Sequence, residues 1–278
     1  MNKQVLLLYA LALFLAVGCG EDKNSSEAKN FETSKNLDSG KYQAVLDDPN
    51  ANATDYAAAA MAMVGLDPVE LVKTLNETAT TGATGDLGAV TELQIHPENL
   101  KYLTIAKDKL KDEIDVKCAG MTPDTASQEC KDLNFQQTVT SLTNTVTALA
   151  QVGQTYSASI VGGFNATDGI SQGEASALAT FLTNKYTGTG SVTVDVGTGT
   201  PQDIISVVTK DIVTLVSEDA TAIVGTTGTV NGSDSSLAMS GLGGSDLQNT
   251  INSSITNIGG AAVSPTTITD YLNTNFAN

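Results

Sequence analysis

The sequence predicts a mainly α-helical protein, an irregular helical bundle or array with long loops rich in Gly, Thr and Ser. Two observations lead to this fold class. Apolar residues recur at steps of three and four along several segments, which is the spacing of a buried helix face. Trp is absent and aromatic residues make up 5% of the 278 residues, so the core must be built from Leu, Ile, Val and Ala, which suits closely packed helices.

The first residues have the pattern of an export signal. A short start with a single lysine precedes a nearly unbroken apolar run from Val5 to Val17, and Cys19 follows. A membrane-spanning helix needs about 20 apolar residues, and the polar run from Glu21 onward leaves too short a segment. We therefore predict a signal peptide over residues 1–18 rather than an uncleaved membrane helix with an incidental cysteine.

Residues 15–19 (Leu-Ala-Val-Gly-Cys) resemble the lipobox of bacterial lipoproteins, with Ala16 where Leu is more common. The resemblance implies that Cys19 begins the mature chain, and that its thiol carries a diacylglyceryl group and its amine a further acyl chain. Two or three chains anchor a protein almost permanently, because each buried CH₂ contributes about 0.8 kcal/mol. Gly20, in place of Asp, implies export to the outer membrane of the cell envelope.

The charge of the chain excludes one class of partner. Net charge is −17, and all 14 basic residues are Lys. An acidic surface repels phosphate backbones, and without Arg there is no guanidinium to bind them. We therefore expect no nucleic-acid binding. The acidity favours solubility, with a cationic partner as the alternative.

The polar residues 19–35 show no apolar periodicity and predict a flexible tether, which leaves residues 36–278 as a mostly helical domain. The start of that domain resembles a tetratricopeptide repeat: residues 39–45 are similar to the turn inside a repeat, and residues 48–60 to the start of the next one. Only about one helical turn separates Tyr42 from Pro49, and no further repeats follow, so we expect a degenerate helical hairpin. The resemblance implies helix pairs that present a protein-binding groove.

Two longer helices follow. Pro97 fits a first helical position, and the helix behind it has an apolar stripe of Leu100, Leu103, Ala106, Leu110 and Ile114. Its other side carries Lys107, Lys111 and Asp115, whose spacing predicts a solvated face. The clearest stripe in the chain comprises Phe135, Val139, Leu142, Val146, Leu149 and Val152. This helix, with a Thr/Asn/Gln back, is expected to face the core; an exposed seam for a partner is the alternative.

The C-terminal part combines short helices with loops. Residues 171–174 form a capping box, which predicts a helix to about Lys185. The alternation over residues 192–196 indicates either a small β-hairpin near 190–197 or a loose loop. A helix is expected to start at Pro201, with a stripe of Ile204, Val208, Ile212 and Leu215. Residues 226–245 form a Gly/Ser-rich internal linker. Short helices are predicted over 246–258 and 266–276.

Cys118 and Cys130 are the remaining cysteines. An exported chain reaches a compartment in which disulfides persist. A bridge would close a short loop and stabilise the fold by about 3 kcal/mol. We predict this disulfide. Two free thiols are the alternative, and a metal pair is disfavoured because the only histidine, His96, lies far away in the sequence.

No pattern predicts a catalytic, cofactor or metal site. No nucleophile motif accompanies His96, which a catalytic triad would have to use. Residues 165–171 with Glu174 have some likeness to a calcium loop, but the EF-hand register puts Phe164 and Ala166 where side-chain ligands are needed. A turn followed by a capped helix explains the same residues. We therefore expect no cofactor, no metal and no enzymatic activity.

These observations favour a non-enzymatic, lipid-anchored protein of the bacterial cell envelope that binds or scaffolds another envelope component. Its expected partners are the membrane, through the acyl chains, and an envelope protein. A lipoprotein that holds a small or apolar ligand between Ala-rich helices is the second expectation, and an enzyme of unknown type the third.

Overall fold

The computed structural model describes residues 26–66, 94–121, 125–166, 170–188, 190–217 and 263–275. Within these ranges the chain forms eight α-helices: α1 (Ser26–Asp38), α2 (Tyr42–Leu46), α3 (Ala53–Met63), α4 (Leu100–Lys117), α5 (Gln128–Thr155), α6 (Gln172–Thr187), α7 (Ile204–Ser217) and α8 (Pro265–Asn275). Short 3₁₀ turns span Pro97–Asn99 and Ser157–Ser159, and two strands, β1 (Thr193–Val194) and β2 (Gln202–Asp203), form one small sheet. The predicted fold class, mainly α with a small hairpin, is confirmed.

Helix α1 corrects the predicted tether. We expected a flexible segment through Lys35, but the chain is helical from Ser26 onward. Helix α1 packs against α2 and α3. Thr33 is buried there, and its hydroxyl donates a hydrogen bond to Asp48 Oδ2 at 3.1 Å. Tertiary contacts therefore stabilise a helix whose own pattern is weak. Residues 20–25 lie outside the described residues.

A single short helix connects α1 to α3. Helix α2 has five residues. Gly40 before it has a φ of 71°, a left-handed conformation that glycine adopts without strain and that lets the chain turn. Asn52 then caps α3, its Oδ1 accepting a hydrogen bond from the Asp55 N–H at 2.7 Å. The tetratricopeptide resemblance implied full helix pairs, and α2 is too short to be the second helix of such a pair.

Helix α4 contacts both α3 and α5. Pro97 opens the 3₁₀ turn that precedes it. The predicted stripe is buried as expected: Leu100, Leu103, Ala106, Leu110 and Ile114. Lys111 and Asp115 form an ion pair at 3.1 Å on the exposed side. Lys107 was predicted on that solvated side, and this prediction is wrong, because Lys107 is buried.

Helix α5 is buried on its polar side as well as on its apolar side. The apolar stripe lies in the core, as predicted, and the back of the helix is also nearly inaccessible: Thr138, Thr140, Ser141, Asn144 and Thr145. Helices α4 and α7 pack against α5, and their polar side chains contact Asn144. The helix also begins earlier than the apolar stripe, at Gln128, where Ser127 Oγ accepts a hydrogen bond from the Cys130 N–H at 3.2 Å.

Helices α6 and α8 form a second packing unit. Helix α6 starts with the predicted capping box of Ser171 and Glu174 and ends at Thr187, close to the predicted end. Helix α8 packs against α6, and the Thr183 and Thr269 hydroxyls lie 3.2 Å apart between them. The last predicted helix is therefore present, although its packing partner could not be assigned from the sequence.

The hairpin shifts one predicted helix start. Strands β1 and β2 are antiparallel, with Thr193 opposite Asp203. Helix α7 consequently begins at Ile204 rather than at Pro201. Asp203 ends the strand and starts the helix, because its Oδ1 accepts a hydrogen bond from the Ile205 N–H at 2.9 Å. The linker predicted over 226–245 and the helix predicted over 246–258 lie outside the described residues.

Candidate functional site

Two buried charged groups face each other where α4 and α7 pack on α5. Lys107 Nζ on α4 is in direct contact with Asp211 Oδ1 on α7, and the two side chains are 5% and 0% exposed. The residues are 104 positions apart in the sequence, so only the packing on α5 brings them together. The pair is not predicted by the sequence pattern, because the spacing of Lys107 with Lys111 and Asp115 indicates a solvated face and no motif identifies Asp211 as its partner.

Helix α5 supplies two hydrogen-bond donors to the same carboxylate. Asn144 Nδ2 donates to Asp211 Oδ2 at 2.8 Å, and Thr145 Oγ1 donates to the same oxygen at 3.1 Å. Asn144 is oriented in turn by the Thr104 hydroxyl, which donates to its Oδ1 at 3.3 Å. One carboxylate oxygen of Asp211 therefore contacts an amine, and the other accepts two neutral hydrogen bonds. We call the buried residues Lys107, Asp211, Asn144 and Thr145, together with the half-buried Thr104 beside them, the buried polar cluster.

Burial changes the acidity of the lysine in this cluster. Burial is the main cause that lowers the pKa of Lys107 to about 7. The positive charge of nearby Lys210 also lowers this pKa, whereas the negative charge of Asp108 raises it. A lowered pKa makes the neutral, nucleophilic amine more abundant near neutral pH than in an exposed lysine. The cluster therefore places an amine with a lowered pKa beside a carboxyl group that accepts two further hydrogen bonds.

The predicted cysteine pair lies at the α4–α5 connection. The Cα atoms of Cys118 and Cys130 are 5.5 Å apart and their sulfur atoms are bonded, which is compatible with the predicted disulfide. Asn134 is buried one turn further along α5 and donates to the Cys130 carbonyl at 2.8 Å. Next to the bridge, Lys117 binds Glu129 and, at 2.7 Å, Glu113. These hydrogen bonds raise the pKa of Lys117.

The calcium-like segment uses its carboxylate for backbone contacts. Glu174 Oε1 accepts a hydrogen bond from the Asn165 N–H at 2.8 Å, and Oε2 accepts from the Ser171 N–H at 2.9 Å and the Ser171 hydroxyl at 2.6 Å. Partial burial raises the pKa of Glu174, but these hydrogen bonds outweigh it and hold the pKa below its ordinary value. The contacts are those of a turn followed by a capped helix; residues 167–169 lie outside the described residues.

A groove of about 820 Å³ runs along α6 and the preceding loop. Ala177 and the largely buried Phe181 contribute to its apolar lining, and Val161 on the loop is 89% exposed. Lys185 Nζ lies 5.6 Å from the centre of the Phe181 ring, so the groove has a cation beside its apolar surface. Asn184 adds a polar amide to the lining. This combination suits a ligand with an apolar body and an acidic group.

His96 directly precedes the 3₁₀ turn of Pro97–Asn99. His96 is half-exposed, and its Nδ1 lies 3.4 Å from Glu98 Oε1. Within the described ranges no three His, Cys, Asp or Glu residues are grouped so that they could hold a metal ion. Cys19 lies outside the described residues.

The sequence contains a signal for the missed pair. Asp211 lies on the apolar stripe of α7, three residues after Val208 and four before Leu215. Lys107 similarly follows Leu103 by four residues. A charged residue in register with a buried stripe needs a buried partner, because an unpaired charge in the core is very costly. What the sequence does not indicate is which charge pairs with which.

Comparison of the chain with protein-family profiles, with curated proteins and with solved structures finds no match. In the part of the chain that the structure describes, no helix combines the length and the apolar character needed to cross a bilayer.

Proposed function

We propose that this chain is a lipid-anchored protein of a bacterial cell envelope, and that its helical body binds or scaffolds another envelope component without catalysing a reaction. The observation that carries the proposal is the leader, an apolar run that is too short to span a bilayer and ends in the lipobox-like residues 15–19. Cys19 is the residue that would carry the lipid.

Two further features support this assignment. A bond between Cys118 and Cys130 is expected to persist in an oxidising envelope compartment and not in a reducing cytosol. The net charge of −17 supports solubility of the body next to the membrane. The outer membrane is the proposed location, because Gly20 follows the cysteine where Asp would favour retention.

The anchor is tested by replacing Cys19. Cells that express the wild type and Cys19→Ala are fractionated, and the N-terminus of each protein is analysed by mass spectrometry. We expect the wild type in the membrane fraction with an acylated Cys19, and the variant without the acyl mass and outside that fraction. The double variant Cys118→Ala/Cys130→Ala is the matched control and keeps its acyl mass. An unmodified, uncleaved wild-type N-terminus overturns the anchor.

The same preparations test the disulfide and the binding role. Mass analysis of the exported wild type without reduction is expected to find Cys118 and Cys130 linked, and two free thiols contradict this. For the binding role, cross-linking in intact cells is followed by purification under denaturing conditions. The same envelope component is expected to be recovered each time from the wild type and to be lost with Cys19→Ala. Repeatedly empty purifications overturn a binding or scaffolding role.

The groove along α6 favours a second candidate, a lipoprotein that holds a small amphipathic ligand. Its apolar lining, in which Val161 is the most exposed side chain, and its cationic Lys185 match an aliphatic or aromatic acid. Dodecanoate serves as the probe in a calorimetric titration. Binding that weakens at least several-fold in Lys185→Gln supports this function, with Lys131→Gln, a lysine outside the groove, as the control. No binding, or equal binding by both variants, excludes it.

A further inference from the structure

The reaction partners of an amide-forming step are already in contact in the buried polar cluster. Lys107 Nζ touches the Asp211 carboxylate at Oδ1, and both side chains are shielded from water. Reacting groups held together in this way gain a large effective concentration, because the entropy of bringing them together is spent on folding. Lysine amines and carboxylates on a protein surface lack this advantage, since water surrounds and separates them.

The second carboxylate oxygen is placed to accept developing negative charge. Asn144 Nδ2 and Thr145 Oγ1 donate to Asp211 Oδ2 at 2.8 Å and 3.1 Å. Donors fixed around a carbonyl oxygen stabilise the tetrahedral intermediate of acyl transfer, and they do so most strongly where water is excluded. The Thr104 hydroxyl lies 3.3 Å from Asn144 Oδ1, which agrees with Asn144 Nδ2 as the donor to Asp211.

The energetics of burial also favour a neutral product. An ion pair in the core retains a desolvation penalty of several kcal/mol for each charge, which the mutual attraction offsets only in part. A secondary amide in the same place carries no charge, and its carbonyl keeps the two donors of Asn144 and Thr145. Formation of an amide therefore removes the desolvation cost and links two helices that are distant in sequence.

We propose that Lys107 and Asp211 join in an intramolecular amide bond between Lys107 Nζ and Asp211 Cγ, which ties α4 covalently to α7. No cofactor or oxidant is required. The overall change converts one ammonium and one carboxylate into one secondary amide and one water molecule, so atoms and charge balance within the pair. The chain would then carry a second covalent cross-link in addition to the one between Cys118 and Cys130.

The steps follow from the contacts. A proton passes from the Lys107 ammonium to Asp211 Oδ1, which leaves a free amine beside a carboxylic acid. The nitrogen lone pair attacks Cγ, the C–N bond forms, and the carbonyl electrons move onto Oδ2, where Asn144 and Thr145 donate. The intermediate then collapses: the C=O bond re-forms, the bond from Cγ to Oδ1 breaks, and Oδ1 leaves as water with one proton from the nitrogen. The lowered pKa of Lys107 supports the first step.

The wild-type protein tests the proposal directly. The chain contains no Arg, so trypsin cuts only after Lys, and no Lys follows position 210. In the denatured, reduced protein, an amide at Lys107 blocks cleavage there and joins residues 102–109 to residues 211–278. We expect this linked peptide, with the summed mass of its two parts less one water. Complete recovery of residues 102–107 and 211–278 as separate peptides overturns the proposal and leaves an ion pair.

Two further outcomes are informative. A peptide that has lost ammonia and links Lys107 to Asn144 overturns Asp211 as the partner. The near-isosteric variant Thr145→Val removes one donor to Oδ2 and keeps the shape of the side chain, so the unlinked fraction is expected to rise at early times after synthesis, with Lys111→Met as the control that links like the wild type. Equal rates in Thr145→Val and the wild type overturn the proposed role of the Thr145 hydroxyl.

Discussion

Two lysines of helix α4, one turn apart, each contact an aspartate, one pair in the core and the other at the surface. Lys107 meets Asp211 in the core, where the side chains are 5% and 0% exposed. Lys111 meets Asp115 on the surface, where they are 48% and 60% exposed. The residue types are the same, so the two pairs differ in the burial of their side chains. The stability of the fold is therefore expected to depend much more on the buried pair than on the exposed pair.

The physical reason is the solvent. At the surface, water screens the pair and solvates each charge about as well alone as paired, so the interaction is worth little. In the core, each charge has lost its water, and its stability depends on the partner and on the surrounding hydrogen bonds. Asn144 and Thr145 meet that requirement for Asp211.

The largest effect is expected from breaking the buried pair. Lys107→Met leaves the Asp211 carboxylate in the core without the Lys107 amine. We expect the free energy of unfolding to fall by about 3–5 kcal/mol for the lost buried pair, and by more where the wild-type pair is joined as an amide. Urea denaturation followed by circular dichroism measures this. A loss below about 1 kcal/mol, of the size found for surface pairs, would mean that Asp211 has another partner or access to water.

A double variant separates charge from packing. Lys107→Met/Asp211→Leu removes both groups and leaves apolar side chains of similar size. We expect it to be more stable than Lys107→Met alone, because no lone carboxylate remains in the core. A double variant that is no more stable than the single one contradicts the account based on desolvation.

The supporting hydrogen bonds are expected to have the next largest effect. Asn144→Leu removes the donor at 2.8 Å from Asp211 Oδ2 and the acceptor for Thr104. A loss of about 1–3 kcal/mol is expected, because the buried Asp211 carboxylate loses one of its donors and the half-buried Thr104 hydroxyl loses one of its two acceptors. The same urea titration measures it, with Thr180→Ala on the exposed side of α6 as a control that changes stability little. Equal stability of Asn144→Leu and the wild type would show that the amide is not needed to hold Asp211.

Glu174 lies between the two extremes, since it is partly buried and its hydrogen bonds hold its pKa below the ordinary value of 4.5. The folded carboxylate is thus more acidic than the unfolded one. The contribution of Glu174 to the free energy of unfolding is complete at pH values above the pKa of the unfolded state. It is lost as the pH falls through the pKa of the folded state. Glu174→Gln is expected to cost about 1 kcal/mol at neutral pH and to lose this dependence.

The test for Glu174 is the stability of the wild type and of Glu174→Gln between neutral and strongly acidic pH. Ser176→Ala, an exposed change on the same helix, serves as the control and should follow the wild type. Parallel curves for the wild type and Glu174→Gln would exclude the capping carboxylate as the source of the acid sensitivity.

The smallest effect is expected at the exposed pair. Lys111→Met removes the ion pair with Asp115, and its predicted cost is about 0.5 kcal/mol or less, falling further at high salt. The free energies of unfolding of Lys111→Met and Lys107→Met are measured together. Because the helix, the residue type and the substitution are identical, the difference between the two losses reports the effect of burial. Equal losses of unfolding free energy in the two variants would contradict the conclusion that burial determines the importance of a charge pair.

The helices could be predicted where the sequence pattern is local. The stripe from Leu100 to Ile114 and the box of Ser171 and Glu174 depend on spacings of three and four residues, and both lie where they were expected. Helix α1 could not be predicted, because its stabilising contacts, such as Thr33 with Asp48, come from residues further along the chain. The start of α7 was misplaced for a similar reason, because β2 pairs with β1.

The sequence by itself determined the mainly helical class, the stripes and caps, and the prediction of an anchor at Cys19, since each depends on neighbours within a few positions. Only the tertiary structure decided that the polar back of α5 is buried and that Lys107 meets Asp211. The physical reason is that the sequence gives the periodicity of each helix, whereas the burial of a charge depends on which other helices cover it. Contacts across 104 residues leave no local pattern.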